Sequence, residues 1–214
     1  MMQAETDHYA AGSSVAWVPY KNMTVSGGIS RNAQVLIHET GGHSFGKLND
    51  EYSLNYYGGP DEEMIKYIKE CHKKNLFVNV DVTGDPNEVL WSRYIGDDRF
   101  AQENIGVYKG GASYFDGIWR PTENSVMRTN SLNKNNFFNA PSRAQIYTRI
   151  MKLSEGQDWQ FDYETFVKWD QAHPTKQSTS PATRANYVEV DEAENEICVP
   201  PVIINKTWRQ MIRK

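Results

Sequence analysis

A short segment with two histidines and a glutamate most constrains what this chain can fold into. Three apolar residues lead into His38 and Glu39, and a second histidine follows at His43. Two imidazoles on one short helix can hold a zinc ion, while a neighbouring glutamate can act as a base towards water. The chain has only five histidines. Finding two of them in this context favours a metal site over a helix with two solvated histidines.

The two histidines are five positions apart, rather than the four of the common His-Glu-x-x-His motif. On a regular α-helix each residue advances by about 100°, so residues five apart point about 140° away from each other. A π-turn absorbs one extra residue and would return His43 to the face of His38. Gly41 and Gly42 lie between the histidines, where a permissive backbone makes this distortion cheap. The sequence therefore predicts a π-turn from His38 to His43.

The sequence after His43 continues as Ser-Phe-Gly-Lys-Leu-Asn-Asp-Glu-Tyr, ending at Tyr52. Together with the histidine segment, it resembles the signature of the IgA-specific metallopeptidase family, which are bacterial, metzincin-like zinc endopeptidases. Dipeptidyl peptidase III also has a lengthened histidine motif but lacks this continuation, so that resemblance is weaker. The family resemblance implies an α+β fold with a metzincin-like catalytic domain, made of a zinc helix, a Met-turn and a C-terminal helix. It also implies a bacterial protein that is secreted or attached to the cell surface.

A second motif supports the same resemblance. Residues 117–122 read Gly-Ile-Trp-Arg-Pro-Thr and precede Asn-Ser-Val-Met, which ends at Met127. This stretch resembles the Met-turn of metzincins, which implies that Met127 lies under the zinc ion without binding it. Without the resemblance, Met127 would be an ordinary gap-filling residue of the core. The two motifs and the sequence that links them extend the resemblance over residues 11–153.

The third metal ligand has to follow Gly46, where the segment breaks, because the helix supplies only two. In common metzincins a histidine stands six residues after the second one, and that position here is Asn49, a poor zinc ligand. A carboxylate would complete a site of two histidines and one oxygen, with one position left for water. Asp50 is the preferred third ligand and Glu51 is the second choice. Whichever of the two does not bind could orient a histidine.

Such a site predicts hydrolysis of peptide bonds in a protein substrate. Zinc lowers the pKa of its water, Glu39 takes the proton, and the hydroxide attacks the peptide carbonyl. The resemblance implies immunoglobulin A as the substrate class, whereas the sequence does not determine which bond is cut. The alternative is a non-catalytic protein-binding domain that keeps the same fold. The long histidine spacing and the missing third histidine suggest this alternative, and the presence of Glu39 argues against it.

The overall composition excludes several other classes of partner. The net charge of −4 and the isoelectric point near 5.8 do not favour nucleic acid or an anionic membrane. No apolar run approaches the ~20 residues of a membrane helix, and the first residues lack the pattern of a signal peptide. Cys71 and Cys198, the only cysteines, are too few for a disulfide framework and too far apart for a cysteine-based zinc site.

The domain prediction places a zinc metallopeptidase domain at residues 1–170 and a linker with a C-terminal appendage at residues 171–214. Only 37 residues precede His38, enough for about two strands. Metzincin-like domains have a several-stranded sheet in this position. We therefore expect an incomplete N-terminal sheet, whose remaining strands come from a missing front part or from another chain.

Hydrophobic periodicity predicts the remaining elements. The predicted helices span 61–74, about 86–94, and 140–155, and the predicted strands lie within 11–26 and over 77–83, 105–111 and 113–121. His72 is predicted to be solvated at the polar end of its helix. The aromatic run 159–169 is predicted to pack a helix onto the body of the protein, rather than to line a binding groove.

Overall fold

The structure, a computed structural model, describes residues 2–4, 11–12, 16–19, 31–54, 58–129 and 137–173. Helices and two small sheets occur together in these residues, so the predicted α+β class is confirmed. The predicted strand around Met23 and Val25 lies outside the described residues. So do the residues from 174 onward, which include Cys198 and most of the predicted appendage.

Three short strands form a sheet near the N-terminus. They are β1 (Met2–Ala4), β2 (Ala11–Gly12) and β3 (Ala16–Pro19). The central strand β3 pairs in parallel with β1 and antiparallel with β2. Trp17 is the position in β3 that faces both Met2 and Ala11. Both β2 and β3 contact the helix that carries the histidines, so this helix packs against the sheet.

The histidines lie on a helix of two parts. Helix α1 (Arg31–Leu36) runs without a break into a π-helix (Ile37–Gly46), and we call the two together the histidine helix. The predicted π-turn is therefore confirmed, and it extends over 10 residues. The helix ends because Lys47 adopts a left-handed backbone conformation (φ 55°), which lets the following amide of Leu48 donate to the carbonyl of Gly42 at 3.1 Å.

Helix α2 (Glu62–His72) confirms the predicted helix. The side chain of Asp61 caps it by accepting a hydrogen bond from the amide of Met64, and its acidic start and basic end complement the helix dipole. The prediction that His72 is solvated, rather than a metal ligand, holds only in part, because its side chain is half-buried. Its Nε2 atom lies 3.0 Å from the carbonyl oxygen of Val80, because the chain after α2 folds back over the helix end. The resulting burial lowers the pKa of His72.

The predicted strand at 77–83 is wrong, because this segment is an irregular loop. Phe77 has a left-handed backbone (φ 59°) and donates its amide to the carbonyl of Lys47. The loop shares only one isolated bridge with the next sheet, between Asp81 and Trp119. The predicted helix near 86–94 is also wrong over most of its length, since only Ser92–Tyr94 forms a helical turn, of the 3₁₀ type.

The two predicted extended pieces around residues 105–121 are confirmed. They form an antiparallel hairpin of β4 (Tyr108–Gly111) and β5 (Tyr114–Arg120). Its turn consists of Ala112 and Ser113, and both have a left-handed backbone. The amide of Ala112 donates to the carbonyl of Asp50 at 2.8 Å. The hairpin turn therefore supports the chain segment that follows the histidine helix.

The largest core cluster lies between the last two helices, α3 (Ala140–Ser154) and α4 (Tyr163–Ala172). Tyr147 of α3 and Phe166 of α4 are buried with their ring centres 5.6 Å apart, so the aromatic run packs a helix onto the body as predicted. Residues 171 and 172, assigned to the appendage by the sequence, are the last two of α4. Among the described residues, no helix is both long and apolar enough to cross a membrane.

Candidate metal centre

Three side chains bring their ligand atoms together at the end of the histidine helix. The Nε2 atoms of His38 and His43 lie 3.0 Å apart, and the Oδ1 atom of Asp50 is 3.1 Å from the first and 3.0 Å from the second. All three residues are buried. The π-helix explains how both imidazoles reach the same point, because its wider turn places residues five apart on one face.

The opposite nitrogen of each imidazole is fixed by a backbone carbonyl. Nδ1 of His38 lies 2.8 Å from the oxygen of Val126, and Nδ1 of His43 lies 2.9 Å from the oxygen of Leu48. A carbonyl oxygen can only accept, so Nδ1 is the donor in both rings. In the neutral form, each Nε2 therefore presents a lone pair towards the carboxylate of Asp50. Three electron-pair donors that face one another require a cation between them, either a metal ion or a proton.

Asp50 is held in place by the segment around it. The Asn79 side chain forms two hydrogen bonds with the backbone of Asn49, the residue before Asp50. Its Oδ1 accepts from the amide of Asn49 and its Nδ2 donates to the carbonyl of Asn49, both at 2.8 Å. The amide of Asp50 is bound by the side chain of Asn49, and its carbonyl accepts from Ala112. The carboxylate is thus directed at the histidines by a rigid backbone.

Glu39 occupies the position next to His38 and is only 3% exposed. Its Oε2 atom is buried and forms no hydrogen bond within the described part of the chain. Burial raises the pKa of Glu39, while the nearby His38 and His43 oppose this rise. A buried carboxylate oxygen without a partner is costly unless a ligand or a proton meets it, so Glu39 is suited to exchange a proton with a bound water or substrate.

The electrostatics of the metal-free site favour a positive charge beside Asp50. Burial would raise the pKa of Asp50, but its contacts with His43 and His38 hold it well below its usual value. Burial would likewise lower the pKa of His43, yet Asp50 and Glu39 raise it to about 9. A proton on His43 therefore balances Asp50 when no metal ion is bound.

The donor set fits a zinc ion. Nitrogen and oxygen ligands that lie about 2.0–2.2 Å from a tetrahedral zinc ion are separated from each other by about 3.3 Å. The corresponding separations among His38, His43 and Asp50 are 3.0–3.1 Å. The hydrogen bonds from Nδ1 to carbonyls also hold the imidazoles in the tautomer that ligates through Nε2. The geometry therefore brings together the three residues that the sequence proposed as ligands.

Met127 packs against the histidine helix at Gly42, and its predicted place under a metal ion stays a prediction. It is fully buried, in a turn that follows Val126, the residue whose carbonyl binds His38. A Cβ atom at Gly42 would stand 2.2 Å from the sulfur of Met127, so the sulfur packs directly on the residue before His43. A glycine is thus needed at position 42 because the sulfur approaches so closely. Neither Gly41 nor Gly42 has a positive φ, so the backbone conformation itself does not require glycine at these positions.

Glu51 points away from the ligand atoms. Its carboxylate is fully buried and accepts hydrogen bonds from Ser125, Asn79 and Asn139. Burial raises the pKa of Glu51, and these three hydrogen bonds oppose the rise. These hydrogen bonds reach other segments and neither histidine, so the expectation that the remaining carboxylate could orient a histidine stays a prediction.

Sequence reasoning missed the residues that support the ligands. Asn139 could have been found, since it precedes a proline-containing helix start and caps α3 by accepting from the amide of Ser142. Ser125 stands two residues before Met127 but carried no separate signal. Asn79 was assigned to a strand, and only the folded loop brings it to Asn49 and Glu51.

A scan against protein-family models and a search of curated proteins both find no significant match to this chain.

Proposed function

We propose that this protein is a zinc-dependent endopeptidase in which His38, His43 and Asp50 hold the ion. The observation that carries the proposal is the convergence of these three buried ligand atoms, with both Nδ1 atoms bound to carbonyls. Zinc in such a site acidifies a water molecule and polarises the carbonyl of the scissile bond.

Glu39 is the general base in this proposal. Its buried, unpartnered Oε2 atom and its raised pKa support a role in accepting a proton from the attacking water and delivering it to the leaving amine. A metzincin-like arrangement is also part of the proposal. It is supported by the contacts of the histidine helix with Met127 and with α3. The substrate is a protein or peptide, and a secreted or cell-surface location follows from the same family resemblance.

Metal analysis and a peptidase assay test this proposal together. Protein purified without added metal should contain about one zinc ion per chain, and His43→Ala should lose it. Glu39→Gln should keep the metal and lose cleavage of a mixed peptide library and of immunoglobulin A by a factor of about 10²–10⁴, the usual contribution of a general base.

Two results would overturn the proposal. Wild-type protein that binds no zinc would remove the metal centre. Zinc-loaded wild type that cuts neither the peptide library nor immunoglobulin A would favour the non-catalytic binding domain instead. Cleavage by wild type that is no faster than cleavage by Glu39→Gln would favour it too. The extra residue between the histidines no longer supports that alternative, because the π-helix accommodates it.

A further inference from the structure

Glu51 is a buried carboxylate whose hydrogen-bond donors are all neutral. Its Oε2 atom accepts from the hydroxyl of Ser125 at 2.6 Å, and its Oε1 atom accepts from the amides of Asn79 and Asn139, both at 3.0 Å. A neutral or apolar side chain would fill such a position with less desolvation. A role in mere packing therefore does not explain why a carboxyl group occupies this position.

The first branch of this network leads to His38. The Ser125 hydroxyl, which donates to Glu51, also accepts from the amide of Met127 at 3.1 Å. The amide of Glu51 in turn donates to the carbonyl of Met127 at 2.8 Å. Glu51 is therefore hydrogen-bonded to both ends of the turn 125–127, to Ser125 through its side chain and to Met127 through its backbone amide. Between these two points lies Val126, whose carbonyl accepts from Nδ1 of His38.

The second branch leads to Asp50. Asn79 donates to Glu51 with the same amide group that donates to the carbonyl of Asn49. Its oxygen accepts from the amide of Asn49. Asn79 thus fixes the backbone immediately before Asp50, and the carboxylate of Glu51 fixes Asn79. The third donor, Asn139, ties the network to the start of α3.

We propose that Glu51 is a positioning residue of the metal centre, which sets the orientation of His38 through the turn 125–127 and of Asp50 through Asn79. It acts on these two ligands by separate routes and touches neither the metal ion nor the substrate. The inference rests on the proposed zinc site, and it adds a residue whose loss changes the metal geometry without removing a ligand.

Glu51→Gln tests the inference because it keeps the volume of the side chain and replaces one acceptor oxygen by an NH₂ group. That group would face Ser125 and Asn139 in one orientation, or Asn79 and Asn139 in the other, and all three are donors to Glu51. With cobalt(II) as probe, the visible absorption bands of the variant should shift in position and intensity. Its dissociation constant for zinc should rise by about 10–100-fold, as for other outer hydrogen-bond partners of metal ligands. Ser125→Ala removes only the branch to His38. It should shift the cobalt absorption bands and raise the dissociation constant for zinc in the same direction as Glu51→Gln, but by smaller amounts.

Asp170→Asn is the matched control. Asp170 is also a buried carboxylate, but it binds Arg143 and makes no hydrogen bond to Ser125, Asn79 or Asn139. This variant should unfold more easily and leave the cobalt spectrum and zinc affinity as in wild type. Wild-type spectrum and affinity in Glu51→Gln would overturn the inference and leave the zinc site standing. If Glu51→Gln does not fold, Ser125→Ala decides by the same two measurements.

A measurement on metal-free protein separates the inference from the proposed function. The Nδ1 proton of His38 should be visible by NMR and protected from exchange by the carbonyl of Val126. Glu51→Gln should speed its exchange at least tenfold, while Asp170→Asn should not. Failure of wild type to bind zinc would refute the proposed function, and the exchange rates would still decide whether Glu51 positions His38.

Discussion

At the scale of single residues, His43 determines the charge balance of the candidate metal centre. Its Nδ1 atom donates to the carbonyl of Leu48, and its Nε2 atom faces Asp50. Glu39 adds a second negative charge nearby. The same position can therefore hold either a proton or one coordination bond to a metal ion, and the two compete.

The raised pKa of His43 predicts a pH-dependent stability of the metal-free protein. The folded protein binds this proton more tightly than the unfolded chain, so the stabilisation is complete below about pH 6.5 and is lost as the pH rises through about 9. The free energy of unfolding should fall by at most about 3 kcal/mol across this window. Urea denaturation at several pH values with a chelator present measures it.

His43→Gln provides the control for this prediction, since its side chain does not titrate. The difference between the two pH profiles isolates the contribution of His43 and its partner Asp50, which form one interaction and are counted once. A wild-type profile parallel to that of the variant between pH 6.5 and 9 would show that His43 is neutral in the metal-free protein.

At the scale of elements, the π-helix and Met127 pack as one unit. A Cβ atom at Gly42 would overlap the sulfur of Met127, whereas one at Gly41 would stand 3.3 Å from the ring of Phe138. Alanine at both positions gains the same helix propensity, about 0.5–1 kcal/mol. Gly42→Ala should nevertheless be destabilising by about 1–3 kcal/mol, because Met127 is fully buried and cannot move freely.

Gly41→Ala is the comparison that makes this prediction specific. Chemical denaturation of both variants should place Gly42→Ala clearly below Gly41→Ala in stability. Equal stability of the two would mean that Met127 adjusts without loss, and that the tight contact with Gly42 does not constrain the helix.

Sequence reasoning predicted those elements whose own residues determine them. The π-helix followed from the five-residue spacing of two ligands, and α2 followed from its cap and apolar stripe. The loop at 77–83 could not be predicted, because the alternation of its valines reflects packing against different parts of the fold rather than a strand ladder. Val80 and Val82 pack with α2 and the hairpin, whereas Val78 packs against the cluster that contains Met127. Helix α4 was missed because its aromatic residues hide the helical period.

The site was predictable only as far as its motif extends. The positions of His38, Glu39 and His43 followed from the sequence, and the choice between Asp50 and Glu51 did not. Both are carboxylates in adjacent positions, and only tertiary contacts separate them: one carboxylate faces two imidazoles, while the other meets Ser125 and two asparagines.

At the scale of the whole molecule, α4 is attached to the rest by two kinds of ion pair. Arg143 of α3 binds Asp170 of α4 and Glu103, both at 2.7 Å and mostly buried. Arg99 binds Glu164 of α4 at 2.6 Å in a largely exposed position. The two arginines connect the same helix to its surroundings but differ in their access to water.

This difference predicts unequal effects on stability. Arg143→Met should be destabilising by about 3–5 kcal/mol, because it leaves two buried carboxylates without their partner. Arg99→Met should cost less, because Arg99 and Glu164 both reach water. Its other partner, Asp97, would keep the hydrogen bonds from Tyr163 and from the backbone amide of residue 99. Thermal and urea denaturation of both variants measure this, and a loss of similar size in the two would show that burial does not strengthen the Arg143 contacts.

The long separations within the metal centre have a consequence for biosynthesis. The carbonyl that fixes His38 comes from Val126, and Asn139 reaches Glu51, each across 88 positions of the chain. At about 5–20 residues per second, a ribosome needs on the order of ten seconds between these points. His38 therefore emerges well before Val126, which fixes its tautomer, whereas Leu48, which fixes the tautomer of His43, follows almost at once. If the proposed metal site forms, capture of the ion in the geometry described above would thus be tied to the completion of this part of the chain.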